Sequence, residues 1–175
     1  MYSTDKVILT QVLSEDSNRL FKWINDPVLV HFNSSFSPVD DLSHAEWFDK
    51  VRKDRAVRIF AIRKINNKEL IGTCQLHSIH PIHRSAELQI RIGQEDQQGK
   101  GFGTDAVNLL LKFGFNELGL NRIFLHVFDS NERATRVYEK AGMKVEGKLR
   151  EGVFIDGEFK SILVLAILKR EFSNK

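Results

Sequence analysis

Gln98-Gly99-Lys100-Gly101-Phe102-Gly103-Thr104 is the most informative segment of this 175-residue chain. It stands between a strand pattern, Ala86 to Gly93, and a helical one from Gly103 to Leu118. In the latter, Ala106, Leu109, Leu110 and Phe113 recur at helical spacing. Glycines in such a place let successive backbone N–H groups converge on one point, and the helix N-terminus adds partial positive charge. The product is a seat for phosphate oxygens. A P-loop needs four residues between its first glycine and a Gly-Lys pair that Ser or Thr follows; here Gly101 follows Lys100, and that motif fails. Gly101-Phe-Gly103-Thr-Asp-Ala106 fits the dinucleotide fingerprint G-x-G-x-x-A, but that fold expects it in the first strand–helix–strand unit. Here it lies past mid-chain, after hairpin-like strands. A diphosphate seat for coenzyme A and a purely structural helix start both stay open at this point.

Outward from the loop, the chain alternates strand and helix signals. Upstream, Lys6–Leu13 reads as a strand, Ser14 as the cap of a helix through Trp23, and Ser37-Pro38 as the start of a helix reaching about Arg52. Strands Val57–Ile65 and Glu69–His77 follow, joined by Asn66-Asn67, whose side chains tolerate the left-handed turn conformation. Downstream, Gly119 can end the long helix, and Ile123–Phe128 is a strand. A short helix from Asn131 to Ala141 is closed by Gly142. The tail holds a strand around Lys144–Arg150 and a hairpin turning at Asp156-Gly157. Antiparallel hairpins thus flank one strand–helix–strand–helix unit. The expected class is three-layer α/β, with helices packed on a mixed, mostly antiparallel sheet. No repeat and no Pro/Gly/Ser-rich linker interrupts residues 1–175, so a single domain is expected.

Composition removes several function classes. A 42% hydrophobic share with 13 Phe argues against disorder, and a single Cys against a disulfide framework. The longest apolar run, Ile162 to Leu168, is far short of a membrane span, and the first residues carry no signal-peptide hydrophobic region. A cytoplasmic protein with no membrane partner is expected. Its formal net charge is only +3, and the densest basic run, Lys50 to Lys68, is broken by Asp49 before it and Asp54 within it. That run reads as a solvated face or as mild attraction for a phosphorylated ligand. Nucleic-acid binding would need a reading element, and none is visible.

Asn131 opens its helix and Tyr138 lies two turns on, so both project from one side. At these residues the chain resembles the GNAT superfamily of N-acetyltransferases. The resemblance is carried by the Q-x-x-G-x-G loop Gln98 to Gly103 and the string Asn131-Glu-Arg-Ala134-Thr-Arg-Val-Tyr138-Glu-Lys-Ala-Gly142. It is carried further by Glu146-Gly147-x-x-Arg150 with Ile155-Asp156-Gly157. That last block looks like the RimJ/RimL-type branch, which also holds spermidine and amino-sugar acetyltransferases. Trp23-Ile-Asn-Asp26 and Glu46-Trp47-Phe48 fit the same branch. Met143 stands where the family usually has Phe, and Ser161 where the branch often has Asp.

The resemblance implies a GNAT fold and acetyl-CoA-dependent transfer to a primary amine in a ternary complex. It also makes a homodimer an expectation. Four demands follow: the diphosphate is held, the thioester carbonyl polarised, the ammonium deprotonated and the leaving thiolate protonated. Gln98, Gly99, Lys100, Gly101, Phe102, Gly103 and Thr104 are the expected diphosphate seat. A backbone donor on Ile90, Arg91 or Ile92 is implied as the oxyanion stabiliser, a role typically worth ~3 kcal/mol. An alkylammonium has a pKa of about 10.4 and needs a base, for which Glu87 is the candidate. Tyr138 is the candidate acid for the thiolate, its ring packing while its hydroxyl reaches the cleft. Asn131 is either a simple N-cap or a contact to the pantetheine.

Other residues carry less. His77, His80 and His83 alternate faces on a strand, so no metal site is expected; Cys74 reads as a buried strand residue. Trp23 and Trp47 pack helices or line the acceptor pocket. The expected acceptor is a small-molecule amine, with nucleotide-linked amino sugars slightly ahead of polyamines. A protein N-terminus is the runner-up. A non-catalytic acyl-CoA-binding module and a nicotinamide binder are the remoter alternatives.

Overall fold

The computed structural model describes residues 2–31 and 36–172. Among these residues, eight strands form one sheet: β1 (Tyr2–Ser3), β2 (Val7–Thr10), β3 (Arg58–Lys64), β4 (Leu70–His80), β5 (Ser85–Ile92), β6 (Arg122–Phe128), β7 (Lys144–Ile155) and β8 (Glu158–Leu168). Their spatial order is β1-β2-β3-β4-β5-β6-β8-β7, and among these neighbours β5 and β6 are the parallel pair. Six helices complete the described fold: α1 (Ser17–Ile24), α2 (Pro27–His31), α3 (Asp41–Lys53), α4 (Phe102–Asn116), α5 (Glu132–Lys140) and α6 (Lys169–Phe172).

Alternation along the strands sorts the layers. On β5, Ala86 and Leu88 join the apolar cluster under α4, built with Leu110, Leu111 and Phe115. Ala61 of β3 and Leu70 of β4 pack instead against Leu20 and Trp23 of α1 and Phe48 of α3. Helices therefore cover both faces, and the three-layer α/β expectation stands. A buried ion pair ties the helical layer to the sheet, with Arg63 Nη2 2.7 Å from Asp16 Oδ2.

Several boundaries differ from the sequence reading, each for a local reason. Ser37-Pro38 does not start α3. Asn25 brackets Val39 with two hydrogen bonds, to its N–H at 2.8 Å and from Nδ2 to its carbonyl at 2.9 Å. The chain stays out of the helix until Asp40, whose carboxylate accepts from Ser43 N–H at 2.9 Å and caps α3. Ser14 does not cap α1 either; it opens a single 3-10 turn, and its hydroxyl accepts from Arg52 at 3.3 Å. In the β3–β4 turn the left-handed residue is Lys68, not Asn66 or Asn67. Asn67 serves by accepting the N–H of Glu69 at 3.1 Å. Helix α2 was readable yet missed: Asp26 accepts from Val28 N–H at 2.9 Å, and Pro27 holds the first helical position. Asp156 and Gly157, both at positive φ, turn the β7–β8 hairpin as expected. Both its strands run longer than anticipated, because bulges at Val145/Gly147 and Leu149/Val153 let the pairing continue.

The Lys50–Lys68 charges are largely used within the fold. Arg52 and Lys53 pair with Asp49, Arg63 with Asp16, and Lys64 with Glu69, while Arg58 donates to backbone carbonyls. The run is mainly structural, which removes the support it lent to a phosphorylated ligand.

Candidate active site

The glycine loop follows a 3-10 turn, Glu95–Gln97, and leads straight into α4. Gly99 and Gly101 adopt φ of 75° and 88°, the left-handed region that a side chain makes costly. A Cβ at Gly99 would meet nothing within 4 Å, so open space lies over the loop. The first intrahelical bond runs from Asp105 N–H to Gly101 O at 3.1 Å. The N–H groups of Phe102, Gly103 and Thr104 precede it and point out of the helix end, where the helix dipole favours anionic oxygens. Gln98 anchors the loop on both sides: its Nε2 donates to Ile92 O at 3.0 Å, and its Oε1 accepts from Arg133 of α5. The residues present fit a diphosphate, with Lys100 exposed beside it.

β5 and β6 pair only at Ser85–Glu87 with Arg122–Phe124, although β5 continues to Ile92 and β6 to Phe128. Each then keeps its other neighbour, β4 for β5 and β8 for β6. A gap therefore opens between them, and the β5 edge from Leu88 to Ile92 faces it. Ile90, Arg91 and Ile92 lie on that edge. Gly103, at the start of α4, comes within side-chain reach of Ile92 and of Val137 on α5, so loop, strand and helix α5 meet at the gap.

Glu87 sits where the gap begins. Its Oε1 accepts from His126 Nδ1 of β6 at 2.7 Å, and His77 Nε2 of β4 stands 4.0 Å from Oε2. The carboxylate is 24% exposed, open to a ligand or a water. Tyr138 belongs to the apolar cluster on the opposite face of the sheet, so the two candidates can serve one reaction only across the gap. Burial pushes the Tyr138 phenol up to about 12, and it stays protonated at ordinary pH. Asn131 is the N-cap of α5, its Oδ1 accepting from Ala134 N–H at 3.1 Å.

On the Glu87 face lies a cavity of about 360 Å³. Helix α1 contributes Leu20, Trp23 and Ile24, and α3 contributes His44 and Trp47. Strands β3 to β5 form the floor, with Ile59, Thr73, Gln75, Gln89 and Arg91. Trp23 and Trp47 thus both pack and line the space. Arg91, expected to act through its backbone, also lines this cavity and shares the strand face of Glu87 and Gln89. His44, Gln75, Gln89 and His126 escaped the sequence reading. His44 alone left a signal, standing one turn before Trp47 on the same helical face. His77 turns to Glu87, whereas His80 and His83 stack on each other with centroids 4.0 Å apart. Cys74 is buried with its thiol pushed well up, which suits a packing role and not a nucleophile.

Gly93 controls the cavity wall. A methyl group there would lie 2.1 Å from the Trp23 ring. Gly93→Ala is expected to displace that ring, lower stability by about 1–3 kcal/mol and raise KM for the acceptor more than KM for acetyl-CoA. Thermal melts and two-substrate kinetics check both effects.

Residues 6–144 match the family model described as an acetyltransferase (GNAT) domain. The chain belongs to the GNAT acetyltransferases. Among curated relatives, the spermidine N(1)-acetyltransferase of Vibrio cholerae is 35% identical over 163 residues, covering 93% of this chain and 87% of that protein. The Escherichia coli K12 spermidine N(1)-acetyltransferase is 31% identical, over 91% of this chain and 79% of its own. A crystal structure of the Vibrio cholerae spermidine N-acetyltransferase, in complex with CoA and spermine, superposes with a TM-score of 0.90. It is 31% identical and covers 98% of this chain and 100% of that one. This GNAT chain is an N-acetyltransferase, and acetyl-CoA is its cosubstrate. Among the described residues, no helix is long and apolar enough to cross a membrane.

Proposed function

We propose that residues 1–175 act as one catalytic domain, acetylating a primary amine of a small molecule. The observation that carries this is the hydrogen-bonded Glu87–His126 pair at the mouth of the β5–β6 gap, on the sheet face that carries a cavity of acceptor size.

Each residue has a task. Acetyl-CoA brings an activated acyl group as a thioester. The N–H groups of Phe102, Gly103 and Thr104 hold its diphosphate, and the β5 edge at Ile90–Ile92 supplies a donor to the carbonyl oxygen. His126 occupies Glu87 Oε1 and leaves Oε2 to take the ammonium proton, directly or through one water. The freed amine nitrogen then bonds to the carbonyl carbon as the C–S bond breaks, and the second proton it sheds as the amide forms passes to solvent, from which Tyr138 is later reprotonated. Tyr138 donates its phenolic proton to the departing sulfur. Its pKa near 12 keeps that proton in place until the thiolate forms.

The relatives support a polyamine acceptor, since two of them are named for spermidine. The volume of the cavity, about 360 Å³, suits a compact small molecule and supports one over a protein N-terminus with its trailing chain. A cytoplasmic site of action with no nucleic-acid partner accompanies this reading. The test is coenzyme A release from acetyl-CoA across spermidine, spermine, amino sugars with and without phosphate, and peptides with free N-termini. Turnover of a small amine above every peptide is the expected result. Turnover confined to peptides would overturn it.

A further inference from the structure

Among the described residues, the acceptor cavity is lined by a cation and no anion. The described lining contains Arg91 but no Asp or Glu. The Arg91 guanidinium is largely withdrawn from water, and burial lowers its pKa while leaving it charged at any ordinary pH. Among the described residues it makes no hydrogen bond and no ion pair. The acidic group whose charge reaches it is Asp26, which lies outside the lining and caps α2 with its Oδ1 through Val28 and Leu29. A second group in the cavity is also unmatched. Gln75 gives its Nε2 to Gln89 Oε1 at 2.6 Å, and among the described residues no donor meets its own buried Oε1. Buried groups left in this condition are costly unless a ligand completes them.

Resting on the acyl-transfer reading above, we propose that the cavity selects an amine that also carries an anionic group, a carboxylate or a phosphate, and that Arg91 binds this group. Guanidinium presents a planar fork that meets either anion through two parallel hydrogen bonds. Gln75 Oε1 then accepts from a hydroxyl or N–H of the same molecule. Trp23 and Trp47 cover its apolar body between the anion and the amine. A polyamine would set an ammonium against Arg91 with no carboxylate in the lining to compensate, so the chain departs here from the relatives named for spermidine.

Matched amines test this. Glucosamine 6-phosphate against glucosamine isolates a phosphate; lysine against cadaverine isolates a carboxylate; spermidine is the polycation. With the native chain, kcat/KM should favour the anion-bearing member of at least one pair by about 10-fold or more, and the pair that responds identifies the anion. Arg91→Gln should bring that ratio close to one. Arg91→Glu should invert it and raise spermidine turnover relative to the anionic amines, a gain that misfolding cannot produce. Spermidine surpassing every anion-bearing amine in the native chain overturns the proposal, as does a ratio unchanged in Arg91→Gln protein. Coenzyme A release with none of these amines or peptides overturns the acyl-transfer reading instead, a result distinct from turnover without anion preference.

Discussion

Tyr138→Phe lowers kcat by about 10²-fold or more and leaves KM for acetyl-CoA nearly unchanged. The ring is buried on the α4 side of the sheet with Ala141 and Met143, and Phe preserves that packing. Among the described residues the hydroxyl makes no hydrogen bond, so its removal strands no partner. Stability at neutral pH should therefore hold while the proton for the sulfur is lost. Steady-state coenzyme A release and a thermal melt on the same sample separate the two effects. A wild-type rate in a folded variant would transfer the role to water.

The alkaline behaviour of Tyr138 supplies an independent readout. Burial disfavours the phenolate, so the folded pKa of about 12 lies above the unfolded value near 10. The folded state holds this proton more tightly, and the stability it confers is intact below pH 10. It is lost as pH rises toward 12, by about 3 kcal/mol. The catalytic profile should show no loss of the acid form below about pH 11. Tyr138→Phe protein should lack this part of the alkaline destabilisation, which pH-dependent denaturation measures.

Glu87→Gln is the second large effect, with kcat/KM at neutral pH down by about 10²-fold or more. Glutamine keeps the shape and can still accept from His126, but it cannot take a proton from the ammonium. The decisive measurement is the pH–rate profile. The acidic limb that reports the base should vanish in the variant, and activity should climb with pH as free amine replaces ammonium. A profile identical to the native one would remove Glu87 and leave His126, 40% exposed at the same gap, as the alternative base.

Much of the fold was legible because its signals are local. Gly99 and Gly101 announce a loop that needs positive φ, and both have it. The spacing of Ala106, Leu109, Leu110 and Phe113 marks the face α4 buries. Asn131 caps α5, and Gly142 closes it at positive φ. Asp156-Gly157 turns the final hairpin. All of these are statements about residues a few positions apart, where backbone sterics and helical or strand period dominate. The two misplaced helix starts show the limit of such statements. Asn25 holds Val39 out of the helix from 14 residues away, and no cap signal near Pro38 records that contact.

By itself, then, the sequence determined the glycine loop, the helices that flank it, the class of sheet, and Glu87 and Tyr138 as candidates for proton transfer. The tertiary structure alone decided how they meet. Insertion of β8 between β6 and β7, with β5 and β6 parting after Glu87 and Phe124, creates the gap through which two faces of the sheet communicate. It brings His126 to Glu87 across 39 residues, and places Arg91 in the lining of a cavity walled by α1 and α3. Pairings at such separation depend on strand order and register, which no local period encodes. The identity of the acceptor is therefore written in side chains that meet only once the sheet has formed.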